Sequence, residues 1–385
     1  MDRKEELAVG RRLLGHIDGR TTDLADDLFR NKVIAYSCRE RARLERERLF
    51  RDHPIFMALG TRLAKPGDYL TEDLAGLPVL LTRGVDGAVR AFANICRHRG
   101  APVAQGCGNA RAFACPYHGW TYDLSGRLLG TTDKVAFAGL DLASHGLVPL
   151  PTAEKHGMIF VRPGRAGPGD VGAIDVDAVL GAMAADMDAL QLDGYPIFSV
   201  DRITPNINWK FAIDTFLEGY HIPHLHRKTI GPYFIGNCGT FDAAGPNGRM
   251  CVARTSIDTV RALPESERNY RPHVISVYQL FPNTIVIWQV DHIEIWRAFP
   301  HRDDPGRCEV EMTIYRPADS ARPDSYWEKN RDIAIRTVME EDFPLGERMQ
   351  IGFESGAAEE VIYGRNEPSL VHFHRSIRNA LGVAA

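Results

Sequence analysis

Two short segments near the front of the chain each carry a cysteine and a histidine. Cys96 and His98 lie in CRHRG, and Cys115 and His118 lie in CPYHGW. Two such pairs can bind one tetrahedral zinc ion, or both cysteines can bind one iron of a two-iron cluster while both histidines bind the other. Tight glycine-containing loops favour the cluster, because backbone N–H groups can then approach the cluster sulfurs.

A second group of candidate side chains lies in NWKFAIDTFLEGYHIPHLH, residues 208–226. If this segment is one helix, Asp214, Glu218 and His221 share a face, because they occupy positions i, i+4 and i+7. Carboxylates and an imidazole are costly to bury on an otherwise apolar helix unless they are paired or bind a metal ion. The pattern predicts a second metal site, and the alternative is a histidine-rich helix end that only provides a cationic cap.

The choice of a second histidine at this site depends on where the helix breaks. Pro223 disfavours helix at the residue before it and removes a backbone hydrogen bond. On an unbroken helix His226 would lie about 140° around the axis from His221, so only a break would let both reach one ion. Helical geometry alone therefore does not choose between His224 and His226.

An O2-activating iron(II) site typically uses two histidines and one carboxylate. The segment VMEEDFPLGERMQIG offers Glu340, Glu341 and Asp342 as carboxylates. Pro344 predicts that a helix ends just after Asp342, so the alternative role for Asp342 is N-cap of the following helix. The local pattern leaves both roles open.

Composition limits the classes of protein that these sites can belong to. The chain has 385 residues, of which 44% are hydrophobic and 25% charged, enough for two domains. A net charge of -4 argues against nucleic-acid binding. The charged N-terminus and the lack of a long apolar run predict a cytoplasmic protein without a membrane partner. Seven cysteines make a poor disulfide framework.

The elements that must position these residues form an α+β pattern. Short β-like runs separated by Gly and Pro follow an amphipathic N-terminal helix, and a Pro/Gly cluster precedes a region of helices and alternating strands. We expect a helical segment, a β domain, a linker and a second domain at 1–52, 53–163, 164–170 and 171–385. In the last region we expect helices after Asn208, at 325–342 and at 368–381, with strands between 250 and 316.

The segment from Cys96 to Leu128 resembles the Rieske segment of ring-hydroxylating oxygenases, in particular of their large catalytic (alpha) subunits. The resemblance implies that Cys96, His98, Cys115 and His118 bind a [2Fe-2S] cluster. It also implies a cluster without a loop disulfide. The segment lacks the extra cysteine pair and the serine of respiratory Rieske proteins, so fewer hydrogen bonds to the sulfurs and a lower potential are expected.

The resemblance extends to NWK and EGYHIPHLH and to EDFPLGERMQ. It implies that His221, His226 and Asp342 bind a mononuclear iron(II), with Glu341 as the alternative carboxylate. His224 is then a pocket residue. In this family a residue at the position of Glu218 connects the iron-binding histidine to a Rieske histidine of a neighbouring protomer.

A departure from the family pattern is Thr215, which stands where asparagine is common. We expect pocket walls from Phe211, Phe216, Tyr233, Phe234, Tyr278, Trp288 and Trp296. The remaining notable histidines are expected to pack or form hydrogen bonds; these are His292, His372 and His374.

The fold that the resemblance implies is an all-β Rieske domain followed by a helix-grip (START/Bet v 1-like) catalytic domain with a curved antiparallel sheet and long C-terminal helices. The implied function is that of the terminal oxygenase of a multicomponent system. Electrons come from NAD(P)H through a reductase, directly or through a ferredoxin, and O2 hydroxylates an apolar, aromatic substrate by di- or monohydroxylation. Aromatic hydrocarbon catabolism and a homotrimer, α3 or α3β3, are expected.

Three alternatives remain from the sequence. An N- or O-demethylase would use the same ligands. A Rieske electron carrier would use the first site alone, and a zinc-stabilised binding module would use the same four ligands structurally.

Overall fold

The computed structural model describes residues 1–72, 76–164 and 172–383. It contains two compact units, Met1–Glu45 with Leu180–Ala385, and Arg46–Val179. Most of the predicted linker at 164–170 lies outside the described residues. Within the described residues, no helix is both long enough and apolar enough to cross a membrane.

The chain begins with a capped amphipathic helix. The Asp2 carboxylate accepts the N–H of Glu5 at 2.8 Å, and the helix ends at Arg20 in the left-handed region with φ 51°. Its apolar side, which includes Leu13, packs against Cys251 and Ala253 of the large sheet. The elements are α1 Arg3–Gly19, β1 Phe29–Lys32, α2 Ile34–Ser37 and α3 Arg39–Arg48.

The unit Arg46–Val179 is built from short antiparallel strands. They form a five-stranded sheet of order β10-β5-β4-β3-β6 and two three-stranded sheets of orders β11-β12-β2 and β7-β8-β9. The bounds are β2 Ile55–Leu59, β3 Asp68–Glu72, β4 Val79–Arg83, β5 Val89–Ala93, β6 Cys107–Asn109, β7 Ala112–Ala114, β8 Thr121–Asp123, β9 Leu128–Gly130, β10 Pro149–Leu150, β11 Thr152–Lys155 and β12 Met158–Val161.

The second unit contains a seven-stranded antiparallel sheet of order β13-β19-β18-β17-β16-β15-β14, and β20 pairs with β1. The predicted α+β fold, with an antiparallel sheet and C-terminal helices, is confirmed. From residue 176 on, the bounds are α4 Val176–Leu180, α5 Ala184–Ala189, β13 Ile197–Ile203, α6 Trp209–Asp214, α7 Ile222–Leu225, β14 Phe234–Ala244, β15 Asn247–Arg254, β16 Val274–Leu280, β17 Thr284–Trp288, β18 Ile293–Pro300, β19 Cys308–Tyr315, α8 Asp324–Thr337, α9 Phe343–Glu354, β20 Glu360–Tyr363 and α10 Pro368–Leu381.

The segment that carries the predicted iron ligands is not one helix. The helix α6 begins at the Asn208 cap, whose side chain accepts the N–H of Lys210 at 3.0 Å, and it ends at Asp214. The Thr215 hydroxyl then donates to the carbonyl of Ala212 at 3.1 Å, which competes with a further helical turn. The predicted shared helix face of Asp214, Glu218 and His221 is therefore wrong.

The helix before Asp342 does not end at Pro344. A π-helical turn, Val338–Asp342, joins α8 to α9, and Pro344 lies in the first turn of α9, where its missing N–H is tolerated. The Asp342 side chain makes no capping hydrogen bond. Both the predicted break and the N-cap alternative for Asp342 are wrong, because the π turn carries the chain from one helix into the next.

Candidate metal centres

The two cysteine-histidine loops have the same backbone hydrogen bonds. The N–H of Gly100 donates to the carbonyl of Cys96, and that of Gly119 donates to the carbonyl of Cys115, each at 2.9 Å. Both glycines have positive φ, 83° and 67°, a region where L side chains are strained. Each sequence motif thus folds into a closed turn that presents one thiol and one imidazole.

The four side chains of these loops separate into a thiol pair and an imidazole pair. Cys96 and Cys115 are buried, and the Nδ1 atoms of His98 and His118 lie 3.1 Å apart. Ligand atoms of these four side chains do not form a group of three within 4.8 Å of one another. Among the described residues, such a group is found only at the second centre. A single tetrahedral zinc would require the four ligand atoms to converge on one point, so the arrangement favours a two-iron cluster.

Two aromatic residues support these ligands, and the sequence did not reveal their roles. The Tyr122 hydroxyl lies 3.4 Å from Cys96 Sγ and accepts the N–H of Arg97 at 3.0 Å. Burial and the nearby Cys96 thiol raise the pKa of Tyr122. The Trp120 ring stacks on His98, with centroids 5.0 Å apart. The available signal was the position of both residues just after His118.

No disulfide bond joins cysteines of the described residues. The seven cysteines, all within the described residues, are free thiols. Cys107 begins β6 and is exposed.

The Tyr117 ring lies beside His118, with centroids 3.9 Å apart. Desolvation lowers the pKa of His118, as do the nearby His98 and Arg99.

The second centre brings together His221, His226 and Asp342, whose ligand atoms lie within 4.8 Å of one another. The Nε2 atoms of the two histidines are 3.1 Å apart. Asp342 Oδ1 is 3.3 Å from Nε2 of His226 and 3.8 Å from Nε2 of His221. The histidines flank α7, and the π turn supplies the carboxylate. Two imidazoles and one carboxylate facing a common point match the donor set of an iron(II) site.

A carboxylate group contacts Nδ1, the second ring nitrogen, of each histidine. Glu218 contacts Nδ1 of His221 and also accepts that residue's backbone N–H at 3.1 Å. Glu341 Oε2 is 2.6 Å from Nδ1 of His226 and accepts the Thr229 hydroxyl at 2.7 Å. A proton held at Nδ1 leaves the Nε2 lone pair free for a metal ion.

The pKa of His226 reflects these neighbours. Burial lowers it, but the bonds and charges of Asp342 and Glu341 outweigh burial, so the pKa is raised. Glu341, the predicted alternative ligand, is in contact with the far side of the His226 ring rather than with the common point. His224 is exposed, and its ring contacts Tyr220 with centroids 6.0 Å apart.

A cavity of about 300 Å³ adjoins this centre. Its polar lining includes His221, Asp342 and Thr215. The apolar lining consists of Phe211, Leu225, Leu345, Met349, Phe353, Val361, Ile362 and Leu370. Of the predicted wall residues, Phe211 therefore lies beside the centre.

The other predicted wall residues lie in different parts of the fold. The ring of Phe216 contacts Trp296, with centroids 5.0 Å apart. Tyr278 and Trp288 line a separate cavity of about 60 Å³ with Val9 of α1, so they lie on the opposite face of the sheet. Strand periodicity alone could not tell which face meets the metal-bearing segment.

A buried hydrogen-bond network borders the cavity. His374 Nε2 is 2.9 Å from Asp214 Oδ1, and the Tyr36 hydroxyl donates to Asp214 Oδ2 at 2.6 Å. The Tyr363 hydroxyl lies 3.2 Å from His374 Nε2. Asp214 thus pairs with His374 rather than with the metal centre. His372 and His292 also form hydrogen bonds, with the carbonyl of Asn247 at 3.0 Å and with Asp291 at 2.8 Å.

Comparison with known families gives this architecture its class. Residues 55–145 match the Rieske [2Fe-2S] domain, and residues 192–382 match the ring hydroxylating alpha subunit (catalytic domain). The chain belongs to the family of Rieske non-haem iron oxygenase alpha subunits. Its cofactors are a [2Fe-2S] cluster and a mononuclear iron.

Individual relatives have different substrates in their names. The chain is 32% identical over 343 residues to benzene 1,2-dioxygenase subunit alpha of Pseudomonas putida, covering 78% of this chain and 73% of that one. It is 31% identical over 212 residues to the glycine betaine monooxygenase oxygenase subunit of Chromohalobacter salexigens, covering 55% of this chain but only 46% of that relative's length.

Among solved structures, the fold matches the quaternary ammonium Rieske monooxygenase CntA, described in connection with carnitine oxidation and inter-subunit electron transfer. The TM-score is 0.77 at 20% identity, covering 93% of this chain and 96% of that one. At that identity the likeness concerns the fold.

Proposed function

We propose that this Rieske oxygenase is the terminal component of a multicomponent system that hydroxylates an apolar group of a small substrate, using O2 and electrons derived from NAD(P)H. The observation that carries the proposal is the convergence of His221, His226 and Asp342 within 4.8 Å, in a chain that also folds two cysteine-histidine loops. An electron carrier would need only the loops, and a zinc module would need neither the triad nor its supporting carboxylates.

In this proposal Cys96 and Cys115 bind one cluster iron, and His98 and His118 bind the other. The separation into a buried thiol pair and an imidazole pair supports that assignment. The predicted domain boundaries, with the Rieske domain at 53–163 and the catalytic domain at 171–385, belong to the same proposal.

His221, His226 and Asp342 hold the mononuclear iron, and His224 does not. When bound, the cluster supplies electrons and the iron supplies O2 activation. The protein contributes orientation: Glu218 and Glu341 each hold a proton at Nδ1 of a histidine, which directs both Nε2 lone pairs at one point. With three protein ligands, a bound iron would still have room for O2, and the adjoining cavity would hold the substrate.

Glu218 also connects the two centres. Its contact with His221 and the 13% exposure of its side chain allow the carboxylate to meet a Rieske histidine of a neighbouring protomer. The proposed assembly is a homotrimer, α3 or α3β3, supplied by a reductase directly or through a ferredoxin. The inter-subunit electron transfer named for CntA supports this arrangement.

An aromatic compound is the first substrate class we propose, because the Phe211 and Phe353 rings line the cavity beside the metal centre and offer flat apolar contacts. A methylated amine is the second candidate, since N-methylammonium groups also pack on aromatic faces. The relatives named for benzene and for glycine betaine support one class each. N-demethylation would use the same ligands as hydroxylation.

The test is metal analysis combined with labelled oxygen. The proposal expects two cluster irons plus one further iron per chain, and an 18O label in the organic product formed from 18O2. The panel contains aromatic acids, hydrocarbons and N- or O-methyl compounds. Zinc in place of iron would contradict the proposal, and so would two irons with no labelled product from any compound.

A further inference from the structure

The sheet face that meets the metal-bearing segment is apolar along most of its length. Trp296 contacts Phe216, and the register places Ile285 opposite Trp296 and Gln279 opposite Ile285. Because side chains alternate along a strand, this inner face can be followed across the sheet. Its buried apolar members include Met250, Val252, Ile275, Val277, Ile285, Ile287, Trp296 and Met312.

One end of the inner face carries a guanidinium group. Arg254 is the last residue of β15 and lies on the same face as Val252, two residues before it. Its Nη2 donates to Gln289 Oε1 at 3.4 Å, and its guanidinium lies 5.7 Å from the centroid of the Phe234 ring. Its Nε is buried and has no hydrogen-bond partner within the described part of the chain.

Other buried arginines of the same sheet are bonded to carboxylates. Arg249 forms ion pairs with Asp186 at 2.6 Å and Glu5 at 3.0 Å, and Arg297 pairs with Glu311 at 2.6 Å. Residues 1–72, 76–164 and 172–383 contain no carboxylate that forms such a pair with Arg254. Desolvation is the largest influence on its guanidinium and lowers the pKa. A half-buried guanidinium with an unpartnered Nε and no paired carboxylate among the described residues is the feature that a bound anion would satisfy.

The nearby acids are engaged elsewhere. Asp291 accepts the Tyr326 hydroxyl at 2.6 Å and lies 2.8 Å from Nδ1 of His292. Glu294 accepts the Trp296 indole N–H at 3.2 Å. Their negative charges still act on this end of the face and disfavour a multiply charged anion. A planar monoanion with two oxygens is therefore the best match for the guanidinium fork.

Building on the proposed function, we infer that Arg254 binds a carboxylate group of the substrate, whose apolar or N-methylated part extends toward the metal centre. Gln289 contacts the guanidinium. It lies four residues after Ile285, the strand partner of Trp296, which corresponds to roughly 13 Å along the strand. The substrate class is thus a monocarboxylic acid, rather than a plain hydrocarbon or an amino alcohol.

The test measures binding to the iron- and cluster-loaded protein by titration calorimetry. The probes are two matched pairs, 3-phenylpropanoate with 3-phenylpropanamide and glycine betaine with choline, together with inorganic phosphate. We expect the carboxylate of at least one pair to bind about 10- to 100-fold more tightly than its partner. Arg254→Gln should remove that preference, and Arg254→Lys should restore part of it.

The matched control is Arg322→Gln, which removes a guanidinium from the same end of the sheet, one that lies 3.5 Å from Asp291. It should leave the preference within twofold, and the content of the third iron, together with circular dichroism, should show that every variant is folded. Equal binding within both pairs, a preference that survives Arg254→Gln, or tighter binding of phosphate would overturn the inference.

The outcome is separable from that of the proposed function. Labelled product from neutral compounds alone would leave the oxygenase intact and remove the carboxylate site. Arg254-dependent carboxylate binding without any labelled product would do the reverse.

Discussion

The two metal centres of this chain are built in opposite ways. In the Rieske unit each loop closes on itself, with a glycine N–H bonded to a cysteine carbonyl, so the proposed cluster ligands are positioned locally. The iron centre has no such closure, because His221 and His226 flank a four-residue helix and Asp342 comes from a π turn in a different part of the sequence. The first centre depends on a motif, and the second depends on the tertiary fold.

Removal of an iron ligand should give the largest effect and should separate the two centres. We expect His226→Ala to lose the third iron and to lower hydroxylation on the order of 10³-fold or more, because one of three donors is gone. Iron content, visible absorbance of the cluster and product formation are measured together. His224→Ala, an exposed change in the adjacent helix α7, is the control and should keep full iron content. Equal losses in the two variants would refute the assignment.

The contrast explains what the sequence could predict. Cys96, His98, Cys115 and His118 could be predicted as cluster ligands from spacing, because one short segment contains all four. Local reasoning left Asp342 between a cap and a ligand, and it was wrong about the helix before it. A single extra residue in the π turn joins α8 to α9, and no local pattern marks such a turn.

A supporting carboxylate should matter less than a ligand. Glu341→Gln replaces the acceptor at Nδ1 of His226 with an amide, which weakens the orientation of the ring, so we expect iron affinity to fall about 10- to 100-fold. Chelator competition measures the affinity. Glu340→Gln changes the adjacent carboxylate, which is bonded to Arg336 at 3.1 Å, and should have no effect. Unchanged affinity in Glu341→Gln would show that Glu341 does not support the site.

The dependence of the iron centre on the fold can be tested by a substitution in the core away from the centre. Lys210 and Glu45 are fully buried and bonded at 2.7 Å, and Glu45 also accepts the Trp209 indole N–H at 2.9 Å. Glu45→Gln leaves the ammonium group buried without its counter-charge, so we expect a loss of about 3 kcal/mol in the free energy of unfolding. Iron should be lost before the cluster during thermal unfolding.

The control for that experiment is Glu40→Gln, an exposed change in the same helix α3. It should unfold like the wild-type protein. Loss of both centres at the same temperature in Glu45→Gln, or loss of the cluster before the iron, would contradict the expected dependence of the iron centre on this core.

Several residues that matter here carry no motif of their own. No sequence motif contains Arg254. Its position on the inner face follows only from the strand register. Tyr122 stands close to His118 in sequence, yet its role depends on the β7–β8 hairpin turning its hydroxyl toward Cys96. Such roles arise from pairing and burial, which the sequence pattern leaves undetermined.

Tyr122 gives the smallest predicted effect and the finest test of the local centre. Its hydroxyl lies 3.4 Å from Cys96 Sγ, and a donor at a sulfur stabilises the more negative, reduced cluster. Tyr122→Phe should therefore lower the reduction potential, by an amount on the order of 10–50 mV for one weak hydrogen bond. Tyr69→Phe removes a hydroxyl that bonds the Gln105 carbonyl in the same unit and should leave the potential unchanged. An unchanged or higher potential in Tyr122→Phe would mean that this hydroxyl does not donate a hydrogen bond to the Cys96 sulfur.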